Sequence, residues 1–250
     1  MADKVVGLER LRTFTNLEVE RTEATYAKKT ELPGIASATK AGIAKFSDDF
    51  DVAEDGTVSP YKAMAINSIT CTPATAERGS TVADVTLAWG LSKTPTTLTL
   101  DGADQDVASK GTTLAGVNLT ANKNFALVAT DARGAKATKS AGVSFQDKRH
   151  FFVAGDLDAD DVTDEVINAA AGELATSRAK TFTVTAGDGE HIYYVIPASF
   201  GTPKFFVGGF EGGFNLLKTF EHTNASGAKV SYQVWKSTNA GLGATTVEVK

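Results

Sequence analysis

The chain has 250 residues, 42% of them hydrophobic and 22% charged, with a formal net charge of -5. That apolar content excludes a wholly disordered chain, and the acidic balance argues against a dedicated nucleic-acid binder, which needs a basic face. No apolar run reaches the ~20 residues of a membrane helix, so no membrane insertion is expected. One cysteine and three histidines leave no disulfide framework and no multi-Cys or His-rich metal centre.

The first twelve residues, MADKVVGLERLR, carry charge at both ends and no apolar core, unlike a secretory signal. From Leu8 to Lys29 the chain is rich in Glu, Arg, Lys and Leu and free of Gly and Pro, which predicts an N-terminal helix within residues 1–30. Val5, Leu8, Leu11, Phe14 and Leu17 recur at every third residue. On a helix that spacing drifts by about 60° per step and lacks the 3-4 alternation of a coiled coil. Leu8, Leu11, Phe14 and Leu17 are the candidates for self-association or docking, against the plainer alternative of a solvated tether. Pro33-Gly34 ends the helix. Residues 31–64 read as a short extended segment, with a strand in 38–46 and a turn at Glu54-Asp55-Gly56 leading into Thr57-Val58. Such a segment is too small to bury a core of its own and needs a neighbouring domain or partner chains.

Residues 65–148 are rich in Thr and Val. Alternation predicts strands at 66–71, 82–89, 97–100, 116–120, 124–130 and 138–145, punctuated by turns at Asp101-Gly102 and 131–134. About seven short strands in roughly 80 residues is the pattern of an Ig-like β-sandwich. Trp89 falls in its core, and Cys71 reads as a buried or edge thiol rather than a nucleophile. Residues 149–250 open on Phe151-Phe152-Val153 and an acidic run, then allow a helix from Val162 through Ile167, Ala170 and Leu174. Strands at 181–185, 191–197, 204–207, 230–235 and 245–249 make a second, C-terminal β-sandwich. The fold class is therefore mainly β.

Two motifs invite a chemical reading. Asp156, Asp158 and Asp160 stand at positions 1, 3 and 5 of a calcium-type loop. The glycine required at position 6 is Asp161 and the glutamate at position 12 is Ile167, so an acidic helix start is favoured over a metal site. The stretch Gly208-Gly209-Phe210-Glu211-Gly212-Gly213-Phe214 lacks the Gly-Lys-Ser/Thr ending of a phosphate loop. Either Phe210 and Phe214 pack inward on a hairpin, which is favoured, or the loop is exposed and Phe210, Glu211 and Phe214 contact a ligand. There is no Gly-x-Ser-x-Gly elbow and no His-Glu-x-x-His pattern. No catalytic residue and no cofactor is assigned, and the chain is not expected to be an enzyme.

A resemblance covers most of the chain. Tyr26-Ala27-Lys28-Lys29, then Ala38-Thr39-Lys40-Ala41-Gly42-Ile43-Ala44-Lys45, then Val52-Ala53-Glu54-Asp55-Gly56-Thr57-Val58-Ser59, resemble the modular linker of bacteriophage tail fibres and related virion fibres. Val85-Thr86-Leu87-Ala88-Trp89 with Leu100-Asp101-Gly102 is similar to an Ig-like module of phage structural proteins, and 178–184 through 236–243 to a C-terminal module of such proteins. The resemblance implies a structural subunit of a virion, made in the bacterial host cytoplasm. It also implies a homotrimer whose partners are other virion structural proteins and a host-surface glycan or protein. A head, collar or baseplate decoration protein is the alternative, and a polysaccharide depolymerase ranks last.

Overall fold

The structure is a computed structural model that describes residues 49–52 and 57–250. The expected N-terminal helix with Leu8, Leu11, Phe14 and Leu17, the strand within 38–46 and the turn at 54–56 lie outside the described residues. The chain divides into two units, 1–63 and 64–250.

In the first unit, β1 (Phe50–Val52) pairs antiparallel with β2 (Val58–Pro60), Phe50 opposite Pro60. Phe50 and Val58 are both exposed.

The second unit is mainly β. Its first half packs two sheets face to face. One holds β3 (Ile66–Thr72), β5 (Val85–Leu91) and β8 (Gly111–Leu114). The other runs from β7 (Ala103–Asp104) through β6 (Thr97–Leu100) and β9 (Lys123–Thr130) to the start of β10 (Lys136–Ala154), with β4 (Thr75–Glu77) parallel to β10. Alternation explains the packing, because successive strand residues face opposite sides. Val85, Leu87 and Trp89 of β5 point inward and meet Leu98, Leu100, Phe125, Leu127, Val143 and Phe145 from the facing sheet. Trp89 is buried as expected, its indole N–H donating to Ser109 O at 2.8 Å. Cys71 is buried and free, and burial pushes its thiol pKa up.

The strand expected at 116–120 is instead at Gly111–Leu114, and 116–120 keeps only one bridge, Val82 to Leu119. Gly116 and Asn118 both take positive φ, which ends the extended run.

β10 is one continuous strand of 19 residues that changes partners along its length. It pairs β9 over 136–143, β4 over 144–146, β11 (Gly172–Ala175) over 147–150 and β13 (His191–Pro197) over 150–154. The 148/149 boundary read from sequence thus falls inside a strand.

The second half has three layers. β13 pairs β17 (Lys229–Ser237), which pairs β16 (Phe214–Thr223). One face of this sheet meets a second sheet of β12 (Lys180–Ala186), β18 (Gly243–Val249), β14 (Phe205–Val207) and β15 (Phe210–Glu211). Phe182, Tyr194, Ile196, Phe205 and Val247 fill the space between them. The other face is covered by Val162 and Ile167 of the 155–170 segment, packed on Tyr193, Val195 and Val234. β13 is therefore buried on both faces, which accounts for its unbroken apolar run.

The helix expected through Leu174 is shorter. α1 (Asp164–Ala169) starts at Thr163, whose side chain caps Val166 N, and stops at Ala170. Beyond it the chain must pair with β10, and Gly172 lies so close to the His150 ring that a Cβ there would sit 2.6 Å from Nδ1. Among the described residues, no helix is long and apolar enough to cross a membrane.

Candidate functional site

The Gly-rich stretch forms a tight hairpin. Val207 pairs with Phe210 and Phe206 with Glu211, leaving Gly208 and Gly209 as the two-residue turn. Their φ values of 57° and 88° are the positive pair that a type I′ turn requires, and only glycine adopts both without strain. Gly212 N donates to Phe205 O at 2.9 Å and Thr238 N to Gly213 O at 2.9 Å, so the hairpin is fastened on both sides.

The two aromatics of the motif part company. Phe214 is buried and stacks on Phe205, centroids 4.1 Å apart and planes 13° from parallel. It belongs to the core and offers no surface. Phe210 is 82% exposed, which corrects the favoured inward packing for that residue. The turn holds Phe210 at the hairpin tip, beyond the reach of the core under β14. Glu211 is exposed and pairs with Lys204 at 3.3 Å. A cleft of about 170 Å³ opens beside the hairpin, lined by Val207, Phe210, Glu211, Gly212, Gly213, Asn239 and Leu242. Asn239 and Leu242 come from the loop after β17. No local pattern marks them as partners of Phe210, because the pairing of β16 with β17 brings them there.

The acidic run does not converge on a point. Asp156 is 78% exposed and turns to Lys236, whose ammonium donates to it. That hydrogen bond, reinforced by the charge, holds the Asp156 carboxyl below the usual range. Asp158 Oδ1 instead accepts from the backbone N–H of Asp160 (2.9 Å) and Asp161 (3.2 Å), and Asp161 Oδ2 accepts from Asp158 N at 3.0 Å. These carboxylates shape their own loop. Among the described residues, no group of three His, Cys, Asp or Glu side chains is placed to hold a metal ion. The acidic helix start is formed by Asp164 and Glu165, in the first turn of α1.

A serine, a histidine and an aspartate also meet at the end of β17. His191 Nδ1 lies 2.8 Å from Ser237 O, and its Nε2 lies 3.8 Å from Asp156 Oδ1. Ser237 is buried, and its Oγ donates to Asn239 O while accepting from Ile192 N. Ser237 Oγ also lies 3.4 Å from His191 Nδ1, but that nitrogen carries the proton it donates to Ser237 O and the hydroxyl proton goes to Asn239 O, so the contact does not set a base against a nucleophile. Two further histidines are buried under α1. His222 donates from Nδ1 to Asp164 at 2.7 Å, and His150 sits 6.3 Å away ring to ring. Burial pushes the His150 pKa down to about 4.

No family model matches the chain, and no curated protein matches it. Among solved structures, it is similar to chitinase ChiA74 from Bacillus thuringiensis at 12% identity and a TM-score of 0.25, covering 83% of this chain and 28% of that one. It is also similar to the N-terminal eight Ig domains of Down Syndrome Cell Adhesion Molecule isoform 1.30.30, at 10% identity and a TM-score of 0.23, covering 73% of this chain and 26% of that one. The chain thus spans little more than a quarter of either structure, and similarity at this level assigns neither a fold nor an activity.

Proposed function

We propose that this chain is a non-enzymatic structural subunit of a phage particle, a fibre-like projection that touches the host surface through its C-terminal half. Residues 65–148 serve as an Ig-like spacer in this reading. Their support is the β3-β5-β8 sheet facing a β7-β6-β9-β10 sheet with β4 running parallel at its edge. The 149–250 region is then a second sandwich with an added covering layer. The virion assignment rests on the tail-fibre-like motifs of residues 26–59.

The contact role is carried by one observation, the exposure of Phe210 at the rim of the Glu211–Asn239 cleft. An aromatic face beside a carboxylate and an amide suits a sugar ring, which offers C–H groups to the one and hydroxyls to the others. Glu211 is the one carboxylate lining that cleft among the described residues, whereas glycoside hydrolysis by a carboxylate pair uses two. Assembly as a homotrimer belongs to the same reading and rests on the resemblance of residues 26–59 to tail-fibre linkers. Three copies would raise weak single-site affinity through effective concentration.

Two measurements test this reading. Light scattering on the full chain and on a chain starting at Met64 is expected to give a trimer that falls to a monomer. A full-length monomer would move the decoration reading ahead. Binding of the full chain to host surface polysaccharide is expected to drop about tenfold or more in Phe210→Ala, as for loss of an aromatic anchor. Unchanged binding would remove the contact role from this hairpin.

A further inference from the structure

We infer that a second cleft, between the 176–179 segment and the Ser199–Phe200 turn, binds an oxyanion such as a carboxylate or phosphate group on a small ligand. The cleft measures about 540 Å³. It is lined by Thr176, Ser177, Ser199, Phe200, the half-buried Arg178 and Lys250. Among the described residues, no Asp or Glu lines it.

Arg178 carries the argument. Its Nη1 donates to Phe200 O at 2.8 Å, while its Nε is buried and meets no acceptor. Among the described residues it forms no ion pair, whereas Arg78 faces Asp147 and Arg149 faces Glu173. The ammonium of Lys250 is already matched by Glu248 at 3.1 Å. Only the Nε is withdrawn from water; the rest of this half-buried cation faces the cleft with no carboxylate opposite it, and a guanidinium pairs strongly with an oxyanion. Here the protein supplies a single carbonyl, on a chain that is acidic overall.

The surroundings hold this cation in place. Arg149 Nη1 donates to Ser177 O and Ala179 O, which fixes the segment on either side of Arg178. Tyr194 OH donates to Arg178 O at 2.6 Å from the core beneath. The hydroxyls of Thr176, Ser177 and Ser199 can donate to the outer oxygens of an anion, and Phe200 offers an apolar face to the body of the ligand. The site is separate in sequence and lining from the Phe210 cleft and does not depend on it.

The test follows the arginine Nε–H resonances of the ¹⁵N-labelled full chain during titration with glucuronate, inorganic phosphate and, as a neutral control, methyl glucoside. The expected result is a saturable shift of the Arg178 Nε–H, which reports on anion pairing at the same guanidinium, with glucuronate, phosphate or both, and none with methyl glucoside. Glucuronate binding about tenfold more tightly than phosphate would place a sugar ring against Phe200, and equal binding would mean that the oxyanion alone is read. Ser199→Asp sets a carboxylate in the cleft and is expected to abolish the response while the remaining resonances keep their positions. The inference is overturned by no saturable shift with either anion, by an equal response to methyl glucoside, or by a full response in a folded Ser199→Asp variant. Any of these would leave Arg178 a strut for the Phe200 turn.

Discussion

Arg78 and Asp147 face each other across the junction of the two cores, Nε to Oδ1 at 2.8 Å, with the aspartate buried just past the midpoint of β10. The neighbouring pair repeats the link, since Lys148 reaches Glu77 at 2.9 Å. Tyr232 donates its hydroxyl to Lys148 O, and Asn224 donates to Arg78 O. A strand shared by two cores and pinned on both sides couples their unfolding. Trp89 reports on the first core and Trp235 packs against the second. Single-tryptophan variants are expected to give coincident denaturation midpoints. Asp147→Ala is expected to cost less than about 1 kcal/mol, because water can replace the acceptor of the half-exposed Arg78, and to pull the two midpoints apart. Separate midpoints in the unaltered protein would show two independent domains.

The hairpin at 208–211 predicts opposite outcomes for two phenylalanines four residues apart. Phe214→Ala removes a ring stacked on Phe205 and is expected to cost about 3 kcal/mol, as for other buried phenylalanines. Phe210→Ala removes an exposed ring and is expected to change stability by less than about 0.5 kcal/mol. Urea denaturation of both variants checks the contrast. A costly Phe210→Ala would mean that the ring packs in solution.

Much of the first half was legible because its strands have one wet face and one dry face. Val85 to Trp89 and Thr97 to Leu100 alternate, and both are strands. The second half hides more. Phe214 to Thr223 is ten residues of strand, yet FNLLKTFEHT does not alternate, because a bulge at Leu216–Lys218 shifts the register halfway. Gly172 to Ala175 carries no strand signal of its own and pairs because β10 offers an edge. The Gly-Gly turn at 208–209 could be read from glycine chemistry, but whether Phe210 packed or protruded depended on where the facing sheet ends. The Arg178 cleft joins residues about 70 positions apart, a grouping made by tertiary packing alone.

The Asp156–Asp161 loop is expected to behave as a turn and not as a calcium loop. Asp158→Ala removes the acceptor of two backbone N–H groups and should cost about 1 kcal/mol. Millimolar calcium should leave the thermal midpoint of the unaltered chain unchanged. A calcium-dependent rise that Asp158→Ala abolishes would restore the metal reading.

Acid sensitivity should centre on His150. Burial lowers its folded pKa from 6.5 to about 4, so the unfolded chain binds the proton first. Stability is then constant above the unfolded value, falls as pH drops from about 6.5 to about 4, and gains no further slope from this group below that. Between pH 7 and pH 5 the expected loss is about 2 kcal/mol, at 1.36 kcal/mol for each pH unit inside the window. The carboxyls of Asp164 and Glu173 are held low: burial opposes the His222 and Thr223 hydrogen bonds to the first, and Lys180 leads for the second. Their acid losses therefore fall mainly below this window. His150→Asn is expected to lower stability at pH 7 and to flatten the slope between pH 7 and 5. Urea titrations of both proteins at the two pH values decide it, and an undiminished slope in the variant would assign the acid response to another group.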